Sequence, residues 1–261
     1  MSATKIRLII IGDEILSGRR QDKHMSKLIE LLGQRGLQLG GAELVSDDRL
    51  TIVETLKRSF ASGDVVFCCG GIGATPDDQT RQAAAQALGV DLALHPEAER
   101  LITERCAEMA AKGNGSADME IPENKQRLQM GVFPVGSEIV PNPYNKIPGF
   151  FISDHTFMPG FPVMAWPMME WTLDHRYRDL HHRTPRVEHS FLVYSLPESR
   201  ITPALEELER RWPGVKAFSL PSMGDGRSHI DLGVKGEPKA AAEALAYLQQ
   251  AAVEAGGSLT P

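Results

Sequence analysis

The sequence predicts an α/β protein: a three-layer α/β/α domain with a mostly parallel sheet, followed by a second, smaller α+β domain. Short apolar segments alternate three times with amphipathic ones before Leu88, the order that parallel sheets with right-handed crossovers produce. After residue 186 the order changes to strand, helix, strand, strand, helix, which favours helices on one face of an antiparallel sheet. We expect the two domains to span residues 1–173 and 187–261.

Composition favours a soluble globular protein. The 261 residues are 24% charged and 42% hydrophobic, and the net charge of −6 argues against a nucleic-acid partner. No apolar run approaches the length of a membrane span, and no signal-peptide pattern stands at the N-terminus. Two of the three cysteines are adjacent in a predicted strand, which suggests buried reduced thiols. We therefore expect a cytoplasmic protein without a membrane partner.

The first two strands each end at acidic residues. Residues 5–11 form the first predicted strand, which ends at Gly12, Asp13 and Glu14, and residues 37–45 form the second, which ends at Asp47. An amphipathic helix follows each strand. The apolar side chains predicted to face inward from these two helices are Met25, Leu28, Ile29 and Leu32, then Ile52, Val53, Leu56 and Phe60.

The third strand, residues 65–69, leads into a loop with three glycines within four residues. Gly70, Gly71 and Gly73 allow positive φ and close approach of a ligand. We expect a helix to begin at Thr75, with Pro76 in its first turn. A strand, a glycine turn and a helix N-terminus together make an anion site. The alternative is that the glycines only form a tight turn and the acids only cap the helix.

Five acids fall just after predicted strand ends, where ligands bind in open parallel sheets. The loop has no lysine and matches neither standard nucleotide-binding fingerprint, and its carboxylates would repel a bare phosphate. A divalent cation such as Mg²⁺, Mn²⁺ or Co²⁺ removes that conflict. We therefore predict a metal-assisted phosphate site. Its predicted metal ligands are Asp47, Asp77 and Asp78, the last two also catalytic, and Thr75 and Thr80 add hydroxyl groups.

Residues 97–112 predict another helix, a short helix opens near Glu123, and residues 133–161 predict short strands joined by rigid turns. An apolar patch follows. It consists of Phe161, Trp166, Met168, Met169 and Trp171. Exposed aromatic and methionine side chains are typical of interfaces, so we expect a homo-oligomer, most simply a dimer or trimer. The alternative is that the second domain covers the patch.

Residues 174–186 are polar and basic, and we predict a solvated linker there. His175, His181 and His182 could bind a metal, but neighbouring arginines at 176, 178 and 183 disfavour a cation.

Several motifs, in order over residues 5–170, resemble the molybdopterin-binding-like N-terminal domain of the competence/damage-inducible protein A family. They are residues 11–18 (IGDEILSG), residues 70–80 (GGIGATPDDQT), residues 123–126 (ENKQ), Pro141-Asn142 and residues 158–162 (MPGFP). The resemblance does not extend to the carboxy-terminal amidase of longer family members.

The resemblance implies a ligand that lies across the Gly12 turn and the glycine loop. It implies metal-dependent hydrolysis of ADP-ribose- or FAD-type pyrophosphates, or alternatively molybdopterin binding with adenylyl transfer. A non-catalytic ligand-binding module is the third alternative. The substrate-binding positions that it assigns are Gly12, Asp13, Glu14, Gly18, Gly70, Gly71, Gly73, Thr75, Thr80, Asn124, Lys125, Asn142, Pro159 and Gly160.

The chain departs from the family pattern near the expected ligand. Ala74 replaces a proline, residues 145–147 (NKI) replace Gly-Thr-Ala, and Val163-Met164 stand where a glutamate is common. These changes affect the expected substrate.

Overall fold

A computed structural model describes residues 5–181, 187–222 and 229–259. The chain divides into two compact units. Residues 5–32 and 37–181 belong to the first unit, and residues 33–36 belong with the part of the chain after His181 to the second. Each unit has its own apolar core.

The first unit is built on a six-stranded mixed sheet. Its strands lie in the order β2-β1-β3-β8-β7-β6, and β4 pairs with β5 in a separate two-stranded sheet. Only β7 runs against the other five strands of the large sheet, so the predicted mostly parallel sheet is confirmed. The strands are β1 (Ile6–Ile11), β2 (Leu39–Val45), β3 (Val65–Cys69), β4 (Leu92–Leu94), β5 (Val132–Pro134), β6 (Glu138–Val140), β7 (Gly149–Ile152) and β8 (His155–Met158).

Helices cover both faces of this sheet, which confirms the three-layer prediction. Alternate strand residues face opposite layers: Leu8 and Ile10 pack with Leu28 and Met168 on one face, whereas Ile9 packs on the other face. The helices are α1 (Asp13–Leu16), α2 (His24–Gly33), α3 (Arg49–Phe60), α4 (Thr80–Leu88), α5 (Pro96–Ala111), α6 (Pro122–Leu128) and α7 (Pro162–His175).

Two predicted apolar faces are wrong in part. In α2, Leu28, Leu31 and Leu32 are buried, whereas Met25 and Ile29 face solvent. The predicted interface patch lies mostly inside α7, where Met168 and Met169 are fully buried in the first unit's core and the two tryptophans pack against it. Of that patch only Phe161 is largely exposed, so the patch cannot support the prediction of self-association.

The first unit extends beyond its predicted end at residue 173. Helix α7 continues to His175, a 3₁₀ turn spans Arg178–Leu180 and Tyr177 is buried in the core. The polar linker predicted from residue 174 is therefore wrong up to residue 180, because regular structure continues there and the Arg176 guanidinium lies 3.9 Å from the centre of the Phe151 ring. Residues 182–186, including predicted linker residues His182 and Arg183, lie outside the described residues.

The second unit is the predicted α+β arrangement. Its three strands form an antiparallel sheet in the order β10-β11-β9, and both helices pack on it. Its elements are β9 (Val187–Tyr194), α8 (Glu198–Arg211), β10 (Lys216–Ser222), β11 (His229–Gly236) and α9 (Pro238–Glu254).

The three cysteines lie in the interior of the first unit. Cys68, Cys69 and Cys106 are free and buried, as predicted, and burial raises the pKa of the Cys68 and Cys69 thiols well above their ordinary value. Within the described ranges, no helix has both the length and the apolar character that crossing a membrane requires.

Candidate functional site

The carboxyl ends of β1, β2, β3 and β8 surround one cavity of about 410 Å³. This is within the size range of small-molecule sites, and it lies where ligands bind in open α/β sheets. Most of the predicted site residues lie in its wall. They are Gly12, Glu14, Asp47, Gly70, Gly71, Gly73, Thr75, Asp77, Asp78, Asn142, Pro159 and Gly160.

The carbonyl groups of the glycine loop, residues 70–74, accept hydrogen bonds from residues at the start of α4. The Thr80 side-chain hydroxyl donates to the Gly70 carbonyl at 3.0 Å, and the Thr80 N–H donates to the Gly71 carbonyl at 2.9 Å. The guanidinium of Arg81, which is buried, donates to the Gly73 carbonyl. Among the residues that the structure describes, no acceptor is found for the N–H groups of residues 71–74. These donors therefore remain available to a ligand.

Two of the loop's glycines are required by geometry. Gly70 has φ 109° and Gly71 has φ 67°, the region that favours glycine. A Cβ on Gly70 would lie 2.1 Å from the Ile11 carbonyl oxygen, and one on Gly71 would lie 2.2 Å from the Thr80 hydroxyl oxygen. Any side chain at either position would push the loop away from β1 and α4.

The helix predicted to begin at Thr75 begins at Thr80 instead, with Gln79 as its N-cap residue. Residues 75–78 form a turn in which the Asp78 N–H donates to the Thr75 carbonyl and the Asp78 carboxylate accepts from the Thr75 N–H and hydroxyl. Because the Asp78 carboxylate bonds the N–H and hydroxyl of Thr75, these residues form an isolated turn and not the first turn of the helix. The N–H of Thr80, the first residue of α4, is bonded to the Gly71 carbonyl, and the N–H groups that border the cavity belong to the glycine loop.

Four carboxylates line the cavity: Glu14, Asp47, Asp77 and Asp78. Burial raises the pKa of the Asp47 carboxyl, opposed by the hydrogen bond that it accepts from the Asp13 N–H, and the negative charges of Asp13, Glu14 and Asp77 raise it further. The cavity is therefore acidic, with one cationic residue, Arg20, in its described wall.

In the part of the chain that the structure describes, protein side chains alone do not form a metal site. No group of three or more His, Cys, Asp or Glu side chains in the described chain could hold a metal. One Asp78 oxygen already accepts from Thr75, and one Asp47 oxygen accepts from the Asp13 N–H at 2.9 Å. The predicted set of Asp47, Asp77 and Asp78 is therefore not assembled as a three-carboxylate site. The donors instead suit a cation of the Mg²⁺ type, which binds through one or two carboxylates together with phosphate oxygens.

Five predicted substrate-binding residues do not line the cavity. Asp13 accepts from the Asp47 N–H at 3.3 Å and so joins the ends of β1 and β2, and Thr80 is fully buried behind the loop. Asn124 is buried as well, because its side-chain amide bonds the carbonyls of Ser116 and Asp118 at 2.8 Å each. The remaining two are Gly18, which is exposed, and Lys125, whose ammonium pairs with Glu120.

Other lining residues were not predicted as binding residues. Arg20 has no motif that distinguishes it, and Met130 comes from a 3₁₀ turn far along the chain. Gln126 of α6 donates to the Ala74 carbonyl, so the short helix supports the glycine loop without lining the cavity. His24 Nε2 lies 3.0 Å from the Gly160 carbonyl oxygen and supports the opposite wall.

Most of the residues that depart from the family pattern lie in the wall of the cavity, which stays open. Asn145 and Ile147 line it together with Met164. The side-chain oxygen of Asn145, Oδ1, accepts from the side-chain amide of Asn142 at 2.8 Å and from the backbone N–H of Ile147 at 3.0 Å. These two bonds fix the orientation of the amide. The Asn145 N–H₂ group, which donates to the Met164 sulfur at 3.4 Å, is therefore a donor beside the cavity.

The family model described as "Probable molybdopterin binding domain" matches residues 7–179. The chain belongs to this family. A CinA-like protein of Desulforapulum autotrophicum is 32% identical over 225 residues, which cover 81% of this chain and 50% of that protein. A CinA-like protein of Koribacter versatilis is 27% identical over 95% of this chain and 58% of its own length. The resemblance to the competence/damage-inducible protein A family is thus confirmed, and the chain spans about half the length of these curated relatives.

A solved structure has the same fold. It is the crystal structure of the protein CinA, with unknown function, from Thermoplasma acidophilum. The two structures match over 66% of this chain and 98% of the CinA chain, with 24% sequence identity and a TM-score of 0.55. This likeness confirms the fold of the first unit.

Proposed function

We propose that the cavity binds the phosphates of a nucleotide and that the chain hydrolyses pyrophosphates of the ADP-ribose or FAD type there. The observation that carries the proposal is the row of N–H groups from Gly71 to Ala74. They border the cavity and have no acceptor in the described chain. Backbone N–H groups need a partner when water is excluded, and phosphate oxygens are strong acceptors. The carbonyls of Gly70, Gly71, Gly73 and Ala74 already accept hydrogen bonds, whereas the N–H groups of the loop are left for a ligand.

Because the carboxylates in the cavity wall repel phosphate, we expect a cation to bind together with the phosphates. Asp77 and Asp78 would hold it from the loop, together with phosphate oxygens of the ligand. When bound, such a cation neutralises phosphate charge and lowers the pKa of a coordinated water.

The chain's own residues would supply the rest of the reaction. A water oxygen forms a bond to one phosphorus, the bridging P–O bond breaks, and two phosphate monoesters leave. The glycine-loop N–H groups would stabilise the charge that develops on the phosphate oxygens. Asp77, whose carboxylate lines the cavity, would accept the proton of the water.

The test is release of AMP from ADP-ribose and from FAD by the full chain with Mg²⁺, Mn²⁺ or Co²⁺. We expect turnover with at least one metal and its loss in Asp77→Asn and Asp78→Asn. Absence of turnover on every diphosphate with all three metals would rule out hydrolysis. Binding of ADP-ribose without turnover would support the third alternative, a non-catalytic ligand-binding module.

A second candidate function is molybdopterin binding with transfer of an adenylyl group. The family description supports it, and the same N–H groups would bind the phosphate of a pterin. A ligand that binds only the native state raises its melting temperature by mass action. A shift with molybdopterin and none with ADP-ribose would favour this candidate over hydrolysis.

A further inference from the structure

A second cavity, of about 220 Å³, lies beside α3, β1 and β2. Its wall includes Ser59 near the end of α3 and Ser62 just after it. Ser59 contacts His155, the first residue of β8, whereas Pro159, after the other end of β8, lines the acidic cavity. The two cavities are therefore separate, and the proposed function makes no use of this one.

Ser59 is hydrogen-bonded to a histidine with one defined tautomer. The Ser59 hydroxyl oxygen lies 2.7 Å from His155 Nε2, and His155 Nδ1 lies 2.6 Å from the Ser153 carbonyl oxygen. A carbonyl only accepts, so Nδ1 carries the proton and Nε2 presents its lone pair to the Ser59 O–H. A hydroxyl bonded to a base that a third group orients is the arrangement of an activated nucleophile.

The environment keeps the imidazole neutral and in place. His155 is almost fully buried, and its ring lies 4.2 Å from that of Phe60. Burial lowers its pKa to about 4, opposed by the bond to Ser153 and by the charges of Asp154 and Asp64. At neutral pH the imidazole is therefore unprotonated, and its Nε2 lone pair accepts the hydrogen bond of the Ser59 O–H.

The cavity offers donors for a negatively charged oxygen. Arg7 and Arg58 both line it, and their ion pairs with Asp64 and Glu43 use only some of the five N–H groups on each guanidinium. The volume equals that of about seven water molecules at about 30 Å³ each, enough for a small acyl group.

We propose that Ser59 is a nucleophile and His155 its general base, and that this second cavity accepts small carboxylic esters. The Ser59 oxygen bonds to the acyl carbon while its proton passes to His155 Nε2. The bond to the leaving alcohol breaks, and the alcohol oxygen takes that proton. Water then attacks the acyl-serine with the same proton transfer, which releases the carboxylic acid and restores Ser59.

The experiment treats the full chain with p-nitrophenyl acetate at neutral pH and follows acetylation of individual residues by peptide mass spectrometry. Ser62 is the internal control, since it lines the same cavity but its hydroxyl bonds the Ser59 carbonyl at 2.7 Å. General bases contribute at least about 10²-fold, so we expect Ser59 to be acetylated about 10²-fold faster than Ser62. This comparison needs no variant and does not depend on the acidic cavity.

Two variants complete the test. His155→Gln should lower the rate at Ser59 to that at Ser62, and Ser59→Ala should abolish the fast release of p-nitrophenol, whereas Ser62→Ala should leave it unchanged. Acetylation of Ser59 no faster than that of Ser62 in the wild-type chain would overturn the proposal. It would show that the Ser59–His155 bond serves only to satisfy a buried histidine.

Discussion

At the scale of single residues, Asp78 combines a structural contact with a position in the acidic cavity. Its carboxylate closes the turn with Thr75, and the same side chain lines the cavity. In Asp78→Asn the amide oxygen can still accept from Thr75, so we expect a stability loss of only about 1 kcal/mol. Loss of the charge should reduce metal-dependent turnover at least about 10²-fold. Thermal melts and AMP release measure the two effects separately.

Asp91→Asn is the matched control for this substitution. Asp91 is exposed and does not line the cavity, so its loss of charge should change neither turnover nor stability. If Asp78→Asn unfolds the protein or keeps full activity, Asp78 acts only in the turn.

At the scale of elements, the glycine loop permits a comparison between two glycines of nearly equal conformation. Gly71 has φ 67° and Gly63 has φ 69°, but a Cβ at Gly63 would meet nothing within 4 Å. Gly63→Ala should cost about 1 kcal/mol for its left-handed backbone. Gly71→Ala should cost about 2 kcal/mol more, because the Thr80 hydroxyl must move and the Gly70 carbonyl loses its donor. Chemical denaturation of both variants measures the difference.

Equal costs for the two substitutions would mean that the loop adapts to a methyl group and that its contact with α4 is not fixed. With the expected difference, Gly71→Ala should also weaken the thermal shift given by ADP-ribose, whereas Gly63→Ala should not.

Elements with a repeating apolar pattern could be predicted from the sequence, and elements defined by one local contact could not. The alternation of short apolar segments with amphipathic ones predicted the mostly parallel sheet of the first unit and the helices on it. The start of α4 was wrong because a single carboxylate, that of Asp78, bonds Thr75. Asn124 belongs to a family motif, yet its amide holds the carbonyls of Ser116 and Asp118. Sequence spacing does not distinguish such a buried amide from one that contacts ligand.

At the scale of the whole molecule, self-association stays a prediction with a different basis. The patch that suggested it lies largely in the core. Phe161 and Val163, however, are each exposed over more than half of their surface, at 54% and 52%. If a second copy covers them, Phe161→Ser with Val163→Ser should shift the mass measured by light scattering to that of a monomer. Exposed Leu220→Ser, in the second unit, is the control. A wild-type chain that scatters as a monomer would contradict the prediction.

Acid stability of the whole chain should depend on His155. Its pKa is about 4 in the folded protein and about 6.5 when unfolded, so below pH 6.5 the unfolded state binds a proton that the folded state does not. The contribution is complete above pH 6.5 and is lost as the pH falls toward 4, in total about 3 kcal/mol. In His155→Gln this loss is absent, whereas the carboxylates titrate as before. The difference in unfolding free energy between wild type and variant should therefore shrink by about 3 kcal/mol between pH 7.5 and 4. Parallel curves would show that His155 is protonated as readily in the folded chain as in the unfolded one.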